Sequence, residues 1–112
     1  MSNKDDSSEI IFAVNDLLYS PARMNIMLLL YLHNQLTFNQ LLDATKLTPG
    51  NLVTHLRKLE KRKYIRIVKF FDELKPRTKY VITQEGKKAF EDFTRQLSNF
   101  LEALKKHKNI TQ

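Results

Sequence analysis

The chain has 112 residues, 42% of them hydrophobic and 28% charged, with 2 glycines, 3 prolines and no cysteine. That is enough for one folded domain and too little for two. The lack of cysteine excludes disulfide frameworks, thiolate metal sites and cysteine nucleophiles. The scarcity of Gly and Pro argues for a mainly helical protein, because turn-rich β folds need both. Residues 1–8 are polar and acidic, which is not the pattern of a signal peptide. No apolar run reaches the ~18 residues of a membrane helix. A cytoplasmic protein with no membrane partner is expected.

The net charge is +7. Residues 46–79 carry 11 Lys and Arg against 3 Asp and Glu, a net +8; the rest carry 8 against 9, a net −1. Such concentration points to a polyanionic partner, since each neutralised phosphate releases counterions. Charge alone does not separate DNA from RNA or anionic lipid.

Residues 1–8 read as a flexible arm. Residues 9–19 place Ile10, Ile11, Val14, Leu17 and Leu18 at helical spacing. Ser20 then caps a second helix, with Pro21 in the first position, where a missing N–H costs nothing. Its segment 26–32 is apolar nearly all round and is expected at the centre of the core. Thr37-Phe38-Asn39-Gln40 has the pattern of a capping box opening a third helix, with Phe38, Leu41 and Leu42 on its buried side.

Thr48 and Pro49 open a fourth helix. Leu52, Leu56 and Leu59 fall on one narrow face, while Thr54, Arg57, Lys58 and Lys61 point away and Asn51 sits at the edge of the outer face. Residues 65–71 and 78–83 read as paired strands. The segment 72–77 between them is expected to project as a basic loop, too long for a two-residue turn. A last helix runs from about 84 to 106, with Phe90, Phe93, Leu97, Phe100 and Leu104 in a 3-4-3-4 spacing, and residues 107–112 are expected to fray.

The fold class is therefore mainly α with a small β-hairpin (α+β): a winged helix-turn-helix body over 9–106, with terminal helices for dimerisation. Leucines anchor the fourth helix, so its basic face is free to enter a DNA major groove. Its first turn, with Thr48, Gly50 and Asn51, offers backbone N–H groups to a phosphate. Lys75 and Arg77 on the wing reach the flanking backbone or minor groove. The candidate DNA-binding residues are thus Thr48, Gly50, Asn51, Thr54, Arg57, Lys58, Lys61, Lys75 and Arg77. The stripe of Phe90, Phe93, Leu97, Phe100 and Leu104, joined by Ile10, Val14 and Leu17, either folds onto its own core or pairs with a second chain. Its regularity and the small size of the domain favour the pair.

Residues 48–65 (TPGNLVTHLRKLEKRKYI) resemble the recognition-helix signature of the winged-helix transcriptional regulators, the MarR-like and ArsR-like groups, and within them a small single-domain subgroup. Residues 76–86 (PRTKYVITQEG) are similar to that subgroup's wing strand and final-helix start, and residues 20–23 (SPAR) to its second-helix opening. The resemblance covers roughly residues 17–90. It implies a homodimeric regulator of double-stranded DNA with dimer contacts from the terminal helices. Two departures stand out. Lys63 occupies a helix-ending position that is usually glycine, and the cysteines of metal-sensing relatives are missing.

His33, His55 and His107 have no metal-ligand spacing, so neither metal nor cofactor is expected. His55 flanks the buried face and reads as a packed or hydrogen-bonded residue rather than a base reader. No nucleophile–base set or glycine-rich phosphate loop is present, so no catalytic residues are expected and an enzyme is disfavoured. A small-molecule effector is not indicated, although an aromatic pocket at a dimer interface is left open. Two alternatives to a sequence-specific regulator stand: a non-specific or architectural nucleic-acid-binding protein, and a winged-helix protein-interaction module.

Overall fold

The computed structural model describes residues 15–111. Four helices and three strands follow in the order α1 (Pro21–His33), β1 (Gln35–Thr37), α2 (Phe38–Thr45), α3 (Pro49–Lys61), β2 (Ile65–Asp72), β3 (Lys75–Ile82) and α4 (Gln84–Thr111). The strands form one antiparallel sheet in the order β1-β3-β2. This is an α+β winged helix, as the sequence implies.

The first three helix starts are set by the residues the sequence marks. The Ser20 hydroxyl accepts from the Arg23 N–H, and Pro21 fills the first helical position. At Thr37 both halves of the capping box form: its hydroxyl accepts from the Gln40 N–H at 3.1 Å, and the Gln40 side-chain Oε1 accepts from the Thr37 N–H at 2.9 Å. Thr48 accepts from the Asn51 N–H at 3.2 Å.

The core is built from Leu18, Ile26, Met27, Leu30, Leu41, Leu52, Leu56, Leu59, Ile65, Phe93 and their neighbours. Leu52, Leu56 and Leu59 are fully enclosed and fix the roll of α3. Burying each stabilises by about 1.5–3 kcal/mol. On α1, Ile26, Met27 and Leu30 face inward, but Leu28 and Leu32 are exposed. The segment 26–32 is apolar nearly all round, yet only one side of it is enclosed. The helix still packs against α2, α3, α4, β1 and β3, at the centre of the body, while the side with Leu28 and Leu32 is left exposed among the described residues.

Four further differences from the sequence reading have physical causes. Residues 15–19 form a turn rather than helix; the Asn15 side chain accepts from the Leu18 N–H and its carbonyl from Leu18 and Tyr19. The rest of the expected first helix and the arm 1–8 lie outside the described residues. Strand β1 was not expected, because three residues carry no readable period. The wing turn has only two central residues: β2 runs to Asp72 and β3 starts at Lys75. Glu73 and Leu74 both take positive φ, 52° and 69°, as a type I′ turn requires. The usual Asn-Gly signal for such a turn is missing, which hid it. Finally, α4 continues to Thr111, past the expected end at Lys106.

Helix α3 ends in a Schellman motif. The N–H of Lys63 donates to the Glu60 carbonyl at 2.8 Å and that of Tyr64 to the Leu59 carbonyl at 3.1 Å. Lys63 therefore sits at φ 67°, a conformation that disfavours a side chain by roughly 1–2 kcal/mol. The end of β3 closes on the same turn. The Thr83 N–H donates to the Tyr64 carbonyl at 3.0 Å, and the Thr83 hydroxyl points at the Lys63 and Tyr64 carbonyls while accepting from the Gly86 N–H. A Cβ on Gly86 would lie 2.1 Å from the Tyr64 carbonyl oxygen, so only glycine lets α4 start this close to the chain.

Two substitutions at this junction are expected to act in opposite directions. Gly86→Ala should destabilise by about 2–3 kcal/mol and lower the melting temperature by roughly 10–20 °C. Lys63→Gly should relieve the left-handed strain, less the glycine's own unfolded-state entropy, and raise it by roughly 3–6 °C. Thermal denaturation followed by circular dichroism reads both.

Candidate nucleic-acid interface

Helices α2 and α3, joined by residues 46–48, are the helix-turn-helix. The turn is enabled by Lys46 in the left-handed region (φ 60°), whose N–H still donates to the Leu42 carbonyl at 3.1 Å. Leu47 is partly buried and pins the connection.

All nine candidate DNA-binding residues are exposed: Thr48, Gly50, Asn51, Thr54, Arg57, Lys58 and Lys61 on α3 and its cap, and Lys75 and Arg77 on the wing. At 100° per residue, Thr54, Arg57, Lys58 and Lys61 span an arc of about 100° centred opposite the buried leucines. No acidic side chain falls inside that arc; Glu60 flanks it.

The first turn of α3 is open. Asn51 and Leu52 direct their N–H groups to the Thr48 hydroxyl and carbonyl, and Pro49 has none. The Gly50 N–H is left as the donor of this turn with no acceptor among the described residues. Gly50 has ordinary helical φ, and a Cβ there would meet nothing within 4 Å. The fold therefore gives no internal reason for glycine at this position. The Thr54 hydroxyl donates to the Gly50 carbonyl at 3.0 Å and keeps its lone pairs free to accept.

The wing joins this surface. Arg77, Thr78 and Pro76 of β3 border a hollow of about 240 Å³ together with Thr37, Phe38 and Asn39 at the start of α2. Arg77 also makes a 3.9 Å ion pair with Asp72. A partly exposed pair of this length is weak and readily exchanged for another anion. Farther down the same strand, Tyr80 packs in the core. Burial first, and the negative field of Glu60 second, push its phenol up, against an opposing effect of Arg57. Helix α3 itself packs against β2, the neighbour of β3 in the sheet.

His55 is half-buried, and Arg23 donates to its Nδ1 at 2.9 Å while also donating to the Leu17 carbonyl. A guanidinium can only donate, so the imidazole must be neutral with its proton on Nε2. Desolvation, then the positive fields of Arg23 and Lys58, lower its pKa. His55 is therefore the hydrogen-bonded residue that its position suggests. Sequence reading missed the Arg23–His55 contact because its partners are 32 residues apart on different helices.

The apolar stripe divides. Phe90 and Phe93 are buried in the chain's own core, where Phe90 meets the Tyr31 ring at a centroid distance of 5.6 Å. Their expected place at a dimer interface is thereby corrected: inward-facing aromatics at the start of α4 close the body of the domain. Leu17 and Leu97 are partly buried against that core. Phe100, Leu101 and Leu104 stand exposed, on a helix whose residues 98–108 are all exposed. Ile10 and Val14 lie outside the described residues.

Among the described residues no helix is long and apolar enough to cross a membrane, and no cluster of metal-ligating side chains occurs.

A bipartite basic surface, one helix and one hairpin, carried on a helix-turn-helix defines the winged-helix class. Residues 22–101 match the family model described as winged helix DNA-binding domain, and the chain belongs to that family. It is 35% identical over 74 residues to uncharacterized protein MJ0432 of Methanocaldococcus jannaschii, covering 66% of this chain and 80% of that protein. It superposes on the transcriptional regulator homologue protein from Pyrococcus horikoshii OT3 with a TM-score of 0.80 at 30% identity, over 89% of this chain and 98% of the other. The S. aureus MepR–DNA complex shares the fold, with a TM-score of 0.62 at 23% identity over 96% and 82% of the two chains. The fold is that of the MarR-like transcriptional regulators, and the solved structures named here are of regulators rather than enzymes.

The neutral His55 makes stability depend on pH. Its folded pKa lies below the ordinary 6.5, so the unfolded chain takes up the proton first. Its contribution is full above 6.5 and is lost as pH falls through that value toward the lowered one. His55→Gln, which retains an acceptor for Arg23, should show a smaller fall in melting temperature than the wild type as the pH is taken below 6.5.

Proposed function

We propose that the chain is a homodimeric, sequence-selective transcriptional regulator that lays α3 in the major groove of duplex DNA and the wing on the flanking backbone or minor groove. The observation that carries this reading is the division of α3. Three enclosed leucines fix one side, and an exposed arc of Thr54, Arg57, Lys58 and Lys61 without an acid occupies the other. An α-helix fits the major groove, where each base pair has its own donor and acceptor pattern. Arg57, central on the helix, is placed to read base edges. Lys61, near its end, serves phosphate, and phosphate contacts position without specifying. Thr48 and the Gly50 N–H add a phosphate contact at the helix start.

Support for dimerisation comes from α4. The Cα radius of gyration is 17.5 Å, against the ~13 Å expected of a compact chain of this length. The excess reflects a helix that leaves its own body, about 16 Å of it over residues 98–108. A helical segment this short is marginal alone, and Phe100, Leu101 and Leu104 give it an apolar side with no cover among the described residues. A second copy of α4 supplies that cover, with Leu97 at the inner end. Two copies would present their recognition helices to half-sites about 34 Å apart.

Selection of duplexes from a randomised pool tests the reading. Enrichment of a two-fold symmetric motif supports it. Salt-sensitive binding with no enriched motif would favour an architectural role, and no duplex binding would favour a protein partner. On the selected site, Arg57→Ala should weaken binding by about 1–3 kcal/mol and leave scrambled duplex nearly unchanged. Lys61→Ala should weaken both alike and reduce the salt slope by about 1. Phe100→Glu combined with Leu104→Glu should give a folded monomer in analytical ultracentrifugation, where the wild type sediments as a dimer.

A further inference from the structure

The tip of the wing combines three properties that hairpin stability does not explain. The turn residues Glu73 and Leu74 both hold positive φ, where side chains other than Gly, Asn and Asp are strained. Leu74 is 93% exposed and Phe71 is 76% exposed, so neither gains from burial. Cations flank them: Lys69, Lys75 and Arg77 are all exposed on the same two strands. The register places Phe71 opposite Pro76, on the sheet face that carries Ile65, Ile67, Tyr80 and Ile82 at its root. On that face the Lys69–Thr78 pair separates the buried root from the exposed Phe71–Pro76 pair, and the hairpin ends in solvent at Leu74.

We infer that Leu74, backed by Phe71, is an apolar wedge that enters the minor groove of bound duplex DNA and opens a base step there. This deepens the DNA-binding reading above and rests on it. A β-hairpin tip held by an I′ turn is narrow and rigid, so its leading side chain is aimed before contact. Lys75 and Arg77 lie just behind the tip and match the phosphates that line the groove. Two acidic side chains lie at the tip, Glu73 and Asp72, and Asp72 gives up its weak 3.9 Å ion pair when Arg77 turns to a phosphate. Apolar side chains inserted at a base step unstack it and bend the duplex. Pyrimidine–purine steps yield most easily, so the wedge adds a preference for such a step beside the helix-read half-site. Strain retained at an exposed tip is accounted for by a role that strain serves, here a fixed projection of Leu74.

The test uses the full chain and duplexes selected from a randomised pool on the wild type. Leu74→Gly and Leu74→Asn both remove the wedge and suit the positive φ, so neither lowers hairpin stability. Both should weaken binding about tenfold, the value of one buried leucine. The slope of log affinity against log salt should stay that of the wild type, because no cation is lost. The bend measured by energy transfer between duplex ends should shrink. Leu74→Met, which keeps an apolar tip, should retain affinity and bend. Lys75→Ala should do the reverse of the wedge variants, flattening the salt slope. Wild-type affinity and bend in both wedge variants would overturn the inference while leaving the DNA-binding reading intact. A change in oligomeric state with unchanged DNA affinity would also overturn it, making the tip a contact between copies. Absence of duplex binding by the wild type would remove both.

Discussion

The close approach of α4 to the backbone at Tyr64 is the constraint on which the rest of the molecule depends. One carbonyl receives the Thr83 N–H and faces the Thr83 hydroxyl, and Gly86 leaves the space that a Cβ would fill. Four segments meet there: the end of α3, the start of β2, the end of β3 and the start of α4. The positive φ of Lys63 turns the chain sharply enough for β2 to leave α3 at this point. Tyr64 is anchored from the other side as well, since its hydroxyl accepts from Asn15 at 2.8 Å and the Arg62 guanidinium lies over its ring. The angle between α3 and the wing is therefore set chiefly by backbone packing.

That arrangement separates the work of folding from the work of recognition. The residues that hold α3 in place are apolar and enclosed, while those offered to a ligand are exposed and make few contacts within the chain. Substitutions on the outer arc should have little effect on stability, because surface positions without partners contribute little. Gly50 and Leu74 extend the same logic. Each is a poor choice for the isolated fold, one for helix propensity and one for turn geometry, and the proposed binding mode brings a duplex to both.

Much of this was legible in the sequence because the signals were local. Ser20-Pro21, the Thr37–Gln40 box and Thr48-Pro49 each announce a helix within four residues, and each cap forms as read. The leucine spacing of α3 likewise gives the buried side directly. The features that escaped are those without a local signal. Strand β1 is three residues long and exists through pairing with β3, 44 residues away at Leu36 and Tyr80. The wing turn uses Glu-Leu where Asn-Gly is usual, so its chemistry argued for a longer loop. The stripe on α4 has one unbroken period, yet its first two aromatics belong to the core and its last apolar residues do not. Periodicity reports which side of a helix is apolar; it does not report where the rest of the chain stops.

Thr37 closes β1 as its last paired residue, opposite Lys79, and also caps α2. Both duties suit one conformation, because a capping residue is extended. A slip of β1 by one residue along β3 would therefore do more than turn Leu36 out of the core. It would pull Thr37 away from Gln40 and leave the first turn of the helix-turn-helix with uncapped donors. A strand too short to set its own alignment is locked to one register by a helix, and an error in the sheet carries a penalty in a different element.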